Sequence, residues 1–283
     1  MASIEIDIAR LGVSDAARAL PLSVEAGWNQ TVDDWRFLLG HGTTFGVAKH
    51  DRLVATALAS PLGPGLNWIS MVLVTKDWRG RGLGTRLLKS CIEQASPSAA
   101  GLDATELGRP IYLPLGFGDL YRISRYRLER VPDATPAPAG VELRPILAHD
   151  VTAIAAWDFP RSAMQRAPIL QHLQARMPQL ALAAWRGGAV VGYCLGRDGR
   201  LATQIGPVVA DDPAVAIALT SRAMSAAAAP FFVDAVDGQG AYCRWLEKNG
   251  AVAPRYFIRM VLGNAPGLDN ARAIYAIGGP ELG

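Results

Sequence analysis

The stretch Lys76–Leu88, KDWRGRGLGTRLL, sets Gly80, Gly82 and Gly84 at alternate positions, with Arg79 and Arg81 interleaved and a leucine-rich run beginning at Leu83. Glycine disfavours a helix start unless the backbone itself must approach something closely. An apolar strand, WISMVLV from Trp68 to Val74, precedes the loop. After it, Leu83, Leu87, Leu88, Cys91, Ile92 and Ala95 fall on one stripe of a helix that Pro97 follows. A helix N-terminus presents unpaired N–H groups and a partial positive charge. The glycines remove the Cβ atoms that would keep an oxygen away, and arginine suits bidentate phosphate contacts. The loop therefore reads as a phosphate or pyrophosphate site. No Gly-Lys-Ser/Thr closes it, so it is not a P-loop, and the alternating glycines do not make the dinucleotide fingerprint. A glycine-rich turn with solvated arginines would use the same residues. The strand before and the amphipathic helix after favour the anion site.

The chain around this loop has 283 residues, half of them hydrophobic and 19% charged, a core-forming composition long enough for two domains. A formal charge of +3 is too small to argue for nucleic acid or an anionic membrane surface. Cys91, Cys194 and Cys243 are far apart and odd in number, which fits a reducing compartment and no disulfide framework. No Cys or His pair has metal-ligand spacing, so no metal is expected. The first residues carry charge without an apolar core of a signal, and the longest apolar run is interrupted by Pro230. The expectation is a soluble cytoplasmic protein without membrane or nucleic-acid partners, its oligomeric state open.

Val131–Gly140, VPDATPAPAG, reads as a semi-rigid linker between two halves. The halves repeat one order of elements. GLDATELGRPIYLPLGF (101–117) resembles FVDAVDGQGAYCRWLEKNGA (232–251), and each half places an apolar strand and a helix before that segment. In the first half, residues 3–9 alternate as a strand, 14–28 and 31–39 read as helices with Thr31 as N-cap, and 44–49 with 52–60 form a hairpin around Asp51-Arg52. A strand to Ala104, a short helix to about Leu115 and a terminal strand pair follow. The fold class is α/β: two tandem domains, each a mixed, mostly antiparallel sheet with flanking helices. Domain bounds are 1–130, a linker at 131–140, 141–264, and a tail at 265–283.

VTKDWRGRGLGTRLL resembles the acyl-CoA-binding motif of the GNAT superfamily of N-acetyltransferases, R-x-x-G-x-G/A after an apolar strand, matched at Arg79, Gly82 and Gly84. GRPIYLPLGF resembles that family's short helix ending in a tyrosine, three residues and Gly-Phe, matched at Tyr112, Gly116 and Phe117. The second half resembles a degenerate GNAT copy. The resemblance implies acetyl-CoA as cosubstrate. The backbone of Val72, Leu73 and Val74 would pair with the pantetheine arm. Arg79, Gly80, Arg81, Gly82, Leu83, Gly84 and Thr85 would hold the pyrophosphate. Tyr112 would protonate the leaving thiolate, which suits a phenol that is protonated at neutral pH. A developing oxyanion would meet a backbone N–H near Leu73 or Val74.

The second copy departs from the pattern. VVADDPAVAIAL stands where the loop should be, and Asp211 and Asp212 would repel a pyrophosphate. Leu246 holds the tyrosine position, four residues before Gly250, and Tyr242 lies a helical turn earlier. The second domain is therefore expected not to bind CoA. An amine acceptor needs a base, and Glu25, Asp33, Asp34, Asp103, Glu106 and Asp158 are all open candidates. The histidines form no nucleophile or metal pattern. Trp28, Asn29 and Trp68 are candidates for the acceptor slot, whereas Trp35 reads as core. Glu281 or the end of the chain could reach the active site, as in some multi-domain members of the family. The reading is an enzyme that acetylates a primary amine of a small molecule by direct attack, with no marked nucleophile. A non-catalytic acyl-CoA-binding or sensing module is the alternative, and a nucleotide-phosphate binder outside the family a third.

Overall fold

The computed structural model describes residues 7–96 and 98–283, so the strand expected over residues 3–9 lies mostly outside the described residues. The chain divides into two compact units, residues 1–102 and 103–283.

The first unit opens with β1 (Ala9–Leu11), α1 (Ala16–Glu25) and α2 (Val32–His41). The expected N-cap of α2 is present as a reciprocal box. The Thr31 hydroxyl accepts from Asp34 N at 3.4 Å, and the Asp34 carboxylate accepts from Thr31 N at 2.6 Å. Strands β2 (Thr43–Lys49) and β3 (Arg52–Pro61) form the hairpin, turning at His50-Asp51 with His50 at φ +52°, one residue earlier than the sequence suggested. Then come β4 (Leu66–Val74), α3 (Leu83–Ala95) and β5 (Ala99–Ala104), whose last two residues belong to the second unit. The sheet order is β1-β2-β3-β4-β5, antiparallel except for β4 and β5, which run parallel. α3 buries Leu83, Leu87, Leu88, Cys91 and Ala95, the expected stripe, with Ile92 half-buried. Each buried leucine on it contributes about 2 kcal/mol.

The second unit continues with α4 (Arg109–Tyr112), β6 (Gly118–Leu128), β7 (Val141–Pro145), α5 (Val151–Ser162), α6 (Ala167–Arg176), β8 (Leu182–Arg186) and β9 (Ala189–Arg197). It closes with β10 (Thr203–Ala210), α7 (Pro213–Met224), β11 (Phe231–Val236), α8 (Gly240–Lys248), β12 (Val252–Leu262) and β13 (Ile274–Ile277). Its sheet order is β12-β6-β11-β13-β10-β9-β8-β7. One apolar core gathers Leu180, Val208, Leu219, Phe231, Val233, Tyr242 and Leu246.

Two expectations change here. The terminal strand pair of the first half is a single strand, β6, and it pairs with β11 and β12 of the second half. That pairing moves the compact boundary from the 131–140 stretch back to residue 102, because backbone hydrogen bonds, unlike repeat identity, decide which sheet a strand joins. The Pro/Ala-rich stretch is also pinned: Thr135 N donates to the Ser221 hydroxyl at 2.9 Å, and that hydroxyl donates to Asp133 O at 3.3 Å. The tail forms β13, with Tyr275 and Ile277 buried.

Candidate active site

β4 is the element that opens the site. It pairs with β5 only from Leu66 to Trp68, opposite Ala99 to Gly101. Beyond that the register with β3 shifts, because Thr56 faces Leu73 while Leu58 faces Ser70. Two residues of β4 thus oppose one of β3, a bulge. Met71, at φ +52°, is its strained residue. Thr56 Oγ1 donates to Met71 O at 2.9 Å and holds the bulge from the neighbouring strand. Leu73 and Val74 keep their β3 partners, Thr56 and Ala55, while, among the described residues of this unit, no strand pairs with the other edge of Val72, Leu73 and Val74.

That edge runs into the glycine loop. A short 3-10 turn, Lys76–Trp78, leads to Gly80 at φ +73° and Gly82 at φ +74°. Left-handed backbone at both positions is what glycine supplies without strain. A Cβ on either would meet nothing within 4 Å, so the space over the loop is open. Gly82 caps α3 without a side-chain hydrogen bond. The first intrahelical bond is Arg86 N to Gly82 O, which leaves the N–H groups of Leu83, Gly84 and Thr85 facing outward from the helix start. Arg79 Nε donates to Val74 O at 3.1 Å, and Arg81 donates to Asp77 O at 3.1 Å with its guanidinium 4.7 Å from the Trp78 ring. Both arginines are exposed. An open edge, three N–H groups and two arginines fit a nucleotide thioester with a pyrophosphate.

Tyr112 ends α4 and is half-buried, its ring 5.9 Å from that of Phe117. Gly108 sits under it: a Cβ there would lie 3.0 Å from Tyr112 Cε2 and 3.2 Å from its hydroxyl. Arg109 clamps the turn with a bidentate bond to Asp119, at 2.6 to 3.1 Å, and Gly116 at φ +92° ends it. Sequence reasoning missed Thr56, Gly108 and the Arg109–Asp119 clamp. Only strand register and the turn of α4 reveal what they touch.

The acceptor-slot candidates are dispersed in character. Trp28 is half-buried, Asn29 is 1% exposed, and Trp68 is wholly buried on β4. Trp35 is core, its Nε1 donating to Ser23 Oγ at 3.0 Å. Most base candidates are committed elsewhere. Asp103 holds Arg259 through two bonds of 2.9 Å, both side chains wholly buried. Asp158 accepts from Arg166 at 2.8 and 2.9 Å, from Tyr193 at 2.8 Å and from Ser162 at 3.0 Å. Asp34 serves the α2 cap, Asp33 pairs with Arg36 on the surface, and the Glu106 carboxylate is near enough to Tyr256 to raise the pKa of its phenol. Glu25 lies nearest the end of β4: its carboxylate accepts from Lys76 N at 2.6 Å and pairs with Arg52 at 3.4 Å.

In the second unit the corresponding features are closed. β10 pairs with β11 from Thr203 to Ile205 and then parts from it, as β4 does from β5, but β13 fills the gap. Ala276 lies opposite both Val208 and Ala235. The start of α7 is capped by its own chain: Asp212 Oδ1 accepts from Val215 N at 2.9 Å, and Pro213 brings no N–H. Asp211 and Asp212 pair with Arg161 and Arg186. Leu246 is wholly buried, and the buried Tyr242 hydroxyl is 2.8 Å from that of Thr220. Glu281 is buried against Arg197, and Gly283 O accepts from Arg166 at 3.1 Å, so the end of the chain is tied into this unit.

Comparison with known proteins agrees with this architecture. Residues 14–107 match the model of the acetyltransferase (GNAT) family, and residues 154–276 match that of an acetyltransferase (GNAT) domain. An uncharacterized N-acetyltransferase, YitH, of Bacillus subtilis (strain 168) is 24% identical over 81% of each chain. The crystal structure of a putative acetyltransferase from Pyrococcus horikoshii superposes with a TM-score of 0.78 over 100% of this chain and 98% of that one, at 19% identity. A tandem GNAT protein from the clavulanic acid biosynthesis pathway gives 0.62 over 91% of this chain and 98% of its own, at 14% identity. No described helix is long and apolar enough to cross a membrane.

Proposed function

From the premise that this chain is a tandem member of the GNAT acetyltransferase family, we propose that it transfers an acetyl group from acetyl-CoA to a primary amine of a small molecule. The first repeat works and the second is silent. The observation that carries this reading is the open β4 edge running into the glycine loop, intact once and closed in its counterpart.

Acetyl-CoA supplies the activated acetyl thioester. Val72, Leu73 and Val74 offer the backbone edge to the pantetheine arm, and Arg79–Thr85 offers N–H groups and two guanidinium groups to the pyrophosphate. Each such contact is worth roughly 0.3–1 kcal/mol at an exposed helix end, so several act together. Tyr112 donates its hydroxyl proton to the departing thiolate. A backbone N–H near Leu73 or Val74 meets the charge that develops on the acetyl oxygen. Trp28, Asn29 and Trp68 belong to the acceptor side. Attack is direct: all three cysteines are buried, and burial pushes the Cys91 thiol up to about 12 and those of Cys194 and Cys243 upward, which removes thiolate nucleophiles. The name of the Bacillus relative supports the reaction class.

Calorimetric titration with acetyl-CoA tests the reading. One site per chain, lost when Gly82 and Gly84 are replaced by bulky residues, is the expected result. Two sites would overturn the silent second repeat, and no binding would overturn the transfer reaction.

A further inference from the structure

The two faces of the first unit's sheet differ in character. Val74 faces α3, because a Cβ on Gly84 of that helix would lie 3.6 Å from Val74 Cγ2. Side chains alternate along a strand, so Leu73 faces away from α3. Leu73 lies opposite Thr56 on β3. Leu58, two residues on, shares that face and lies opposite both Ser70 on β4 and Thr44 on β2. Ser60 shares it as well, opposite Trp68. A Cβ on Gly42, which ends α2, would lie 2.7 Å from the Ser60 hydroxyl, so this is the face that α2 covers.

Strand register thus sets the hydroxyls of Thr44, Ser60 and Ser70 around Leu58. The three residues are 1%, 2% and 8% exposed, and none of the three hydroxyls has a hydrogen-bond partner among the described residues. Thr56 on the same face is satisfied by Met71 O, and Ser23 of α1 by Trp35 Nε1. A buried polar group without a partner is costly, and a ligand that supplies the partner recovers the cost.

The layer lies in the unit that carries the acetyl-CoA edge, and on the same strand. Ser70 immediately precedes Met71, the strained residue of the bulge, and stands two residues before Val72, about 7 Å along a strand. The wholly buried Trp68 shares the face and adds apolar surface between Ser60 and Ser70. The layer is uncharged. Asp34 is the one charged side chain among the buried described residues of this unit, and the α2 cap holds it. A ligand carboxylate or phosphate would meet no buried cation here. A hydroxyl both donates and accepts, so hydroxyls on a ligand match it in both senses.

We propose that Ser70, with Ser60 and Thr44 beside it, binds hydroxyl groups of the acetyl acceptor, so that the acceptor is a primary amine bearing several hydroxyls and no carboxylate, an amino polyol in chemical class. Naming the ligand as acceptor rests on the acetyl-transfer reading; the hydroxyl layer is tested apart from it.

The test measures acetyl-CoA consumption by the full chain with matched amines: 2-aminoethanol and propylamine, serinol and 3-aminopentane, glucosamine and cyclohexylamine. At least one hydroxylated amine is expected to exceed its hydroxyl-free partner in kcat/KM by about tenfold or more, the worth of one or two hydrogen bonds. Serinol is expected to exceed serine, which adds a carboxylate. Ser70→Ala is expected to erase the preference by raising KM for the hydroxylated amine, leaving acetyl-CoA affinity unchanged. Its Tm is expected at or above that of the wild type, because the hydroxyl has no partner to lose. Equal use of the two members of every pair, a preference that survives Ser70→Ala, or a lowered Tm overturns the proposal. If Ser70→Ala does not fold, Ser60→Ala is read instead, and an unchanged KM overturns it. If acetyl-CoA neither binds nor turns over, the transfer reading fails, and calorimetry with the hydroxylated amines alone decides the layer. Binding lost in Ser70→Ala sustains it, and no binding to the wild type overturns it.

Discussion

The hydroxyl of Thr56 on β3 donates to the carbonyl oxygen of Met71 on β4 at 2.9 Å, at the point where β4 bulges away from its regular register. Thr56 is wholly buried, so no solvent replaces that bond. Thr56→Val keeps the shape and removes the donor. The expected loss is about 1–3 kcal/mol of stability from a stranded buried carbonyl. Acetyl-CoA affinity is expected to fall as well, because the bulge immediately precedes the proposed binding edge at Val72–Val74. Urea denaturation and calorimetry on one preparation check both, and an unchanged affinity would separate the bulge from the binding edge.

Gly82 and Gly84 separate folding from binding. At Gly82, φ +74° costs an L-residue about 1–2 kcal/mol, and a valine side chain would stand in the open space over the loop. Gly82→Val is therefore expected to lower both Tm and acetyl-CoA affinity. A Cβ at Gly84 lies 3.6 Å from Val74 Cγ2, an ordinary contact inside a helix. Gly84→Ala is expected to stabilise the fold by up to about 1 kcal/mol while weakening acetyl-CoA binding. Opposite signs in a thermal melt and a titration are the signature.

Tyr112→Phe is expected to lower kcat about 100-fold or more, as loss of a general acid does, with acetyl-CoA affinity nearly unchanged. Gly108→Ala places a carbon 3.0 Å from the ring edge and so displaces the phenol without changing it. It should reproduce part of the kcat loss. Equal losses in turnover and affinity for both variants would make the tyrosine structural.

Asp158 and Arg166 are both buried, with side-chain exposures of 0% and 2%. Asp158→Ala leaves the Arg166 charge with Tyr193 and the Gly283 carbonyl as its remaining partners. A loss of about 3–5 kcal/mol is expected in urea unfolding. Replacing both with apolar residues of similar volume should recover much of it.

His41 stacks on Phe37, ring centroids 5.2 Å apart, and burial holds its pKa below 6.5. The unfolded chain therefore binds the proton more readily than the folded one. The stability this neutral imidazole contributes is fully present above 6.5 and is lost as pH falls towards the folded value. Tm of the wild type should drop between about pH 7.5 and about pH 5, and His41→Phe should flatten that slope. Identical slopes would assign the pH dependence to other groups.

Local chemistry determined much of what is seen. The glycine loop, the stripe of α3, the Thr31 cap and the loss of loop residues at Asp211 and Asp212 are legible in the sequence because each depends on neighbours within a few positions. The repeat was legible too, since element order survives when identities fade. Tertiary structure decided what depends on pairing across long separations. It put β6 between β11 and β12, which no periodicity specifies because hydrogen-bonding partners are not encoded in a strand's own alternation. It seated the tail as β13 in the gap beside β10 and committed Asp103 and Asp158 to buried arginines. It also aligned Arg255 and Asp234 with Arg125, which is more than a hundred positions from either and becomes their neighbour only through strand register.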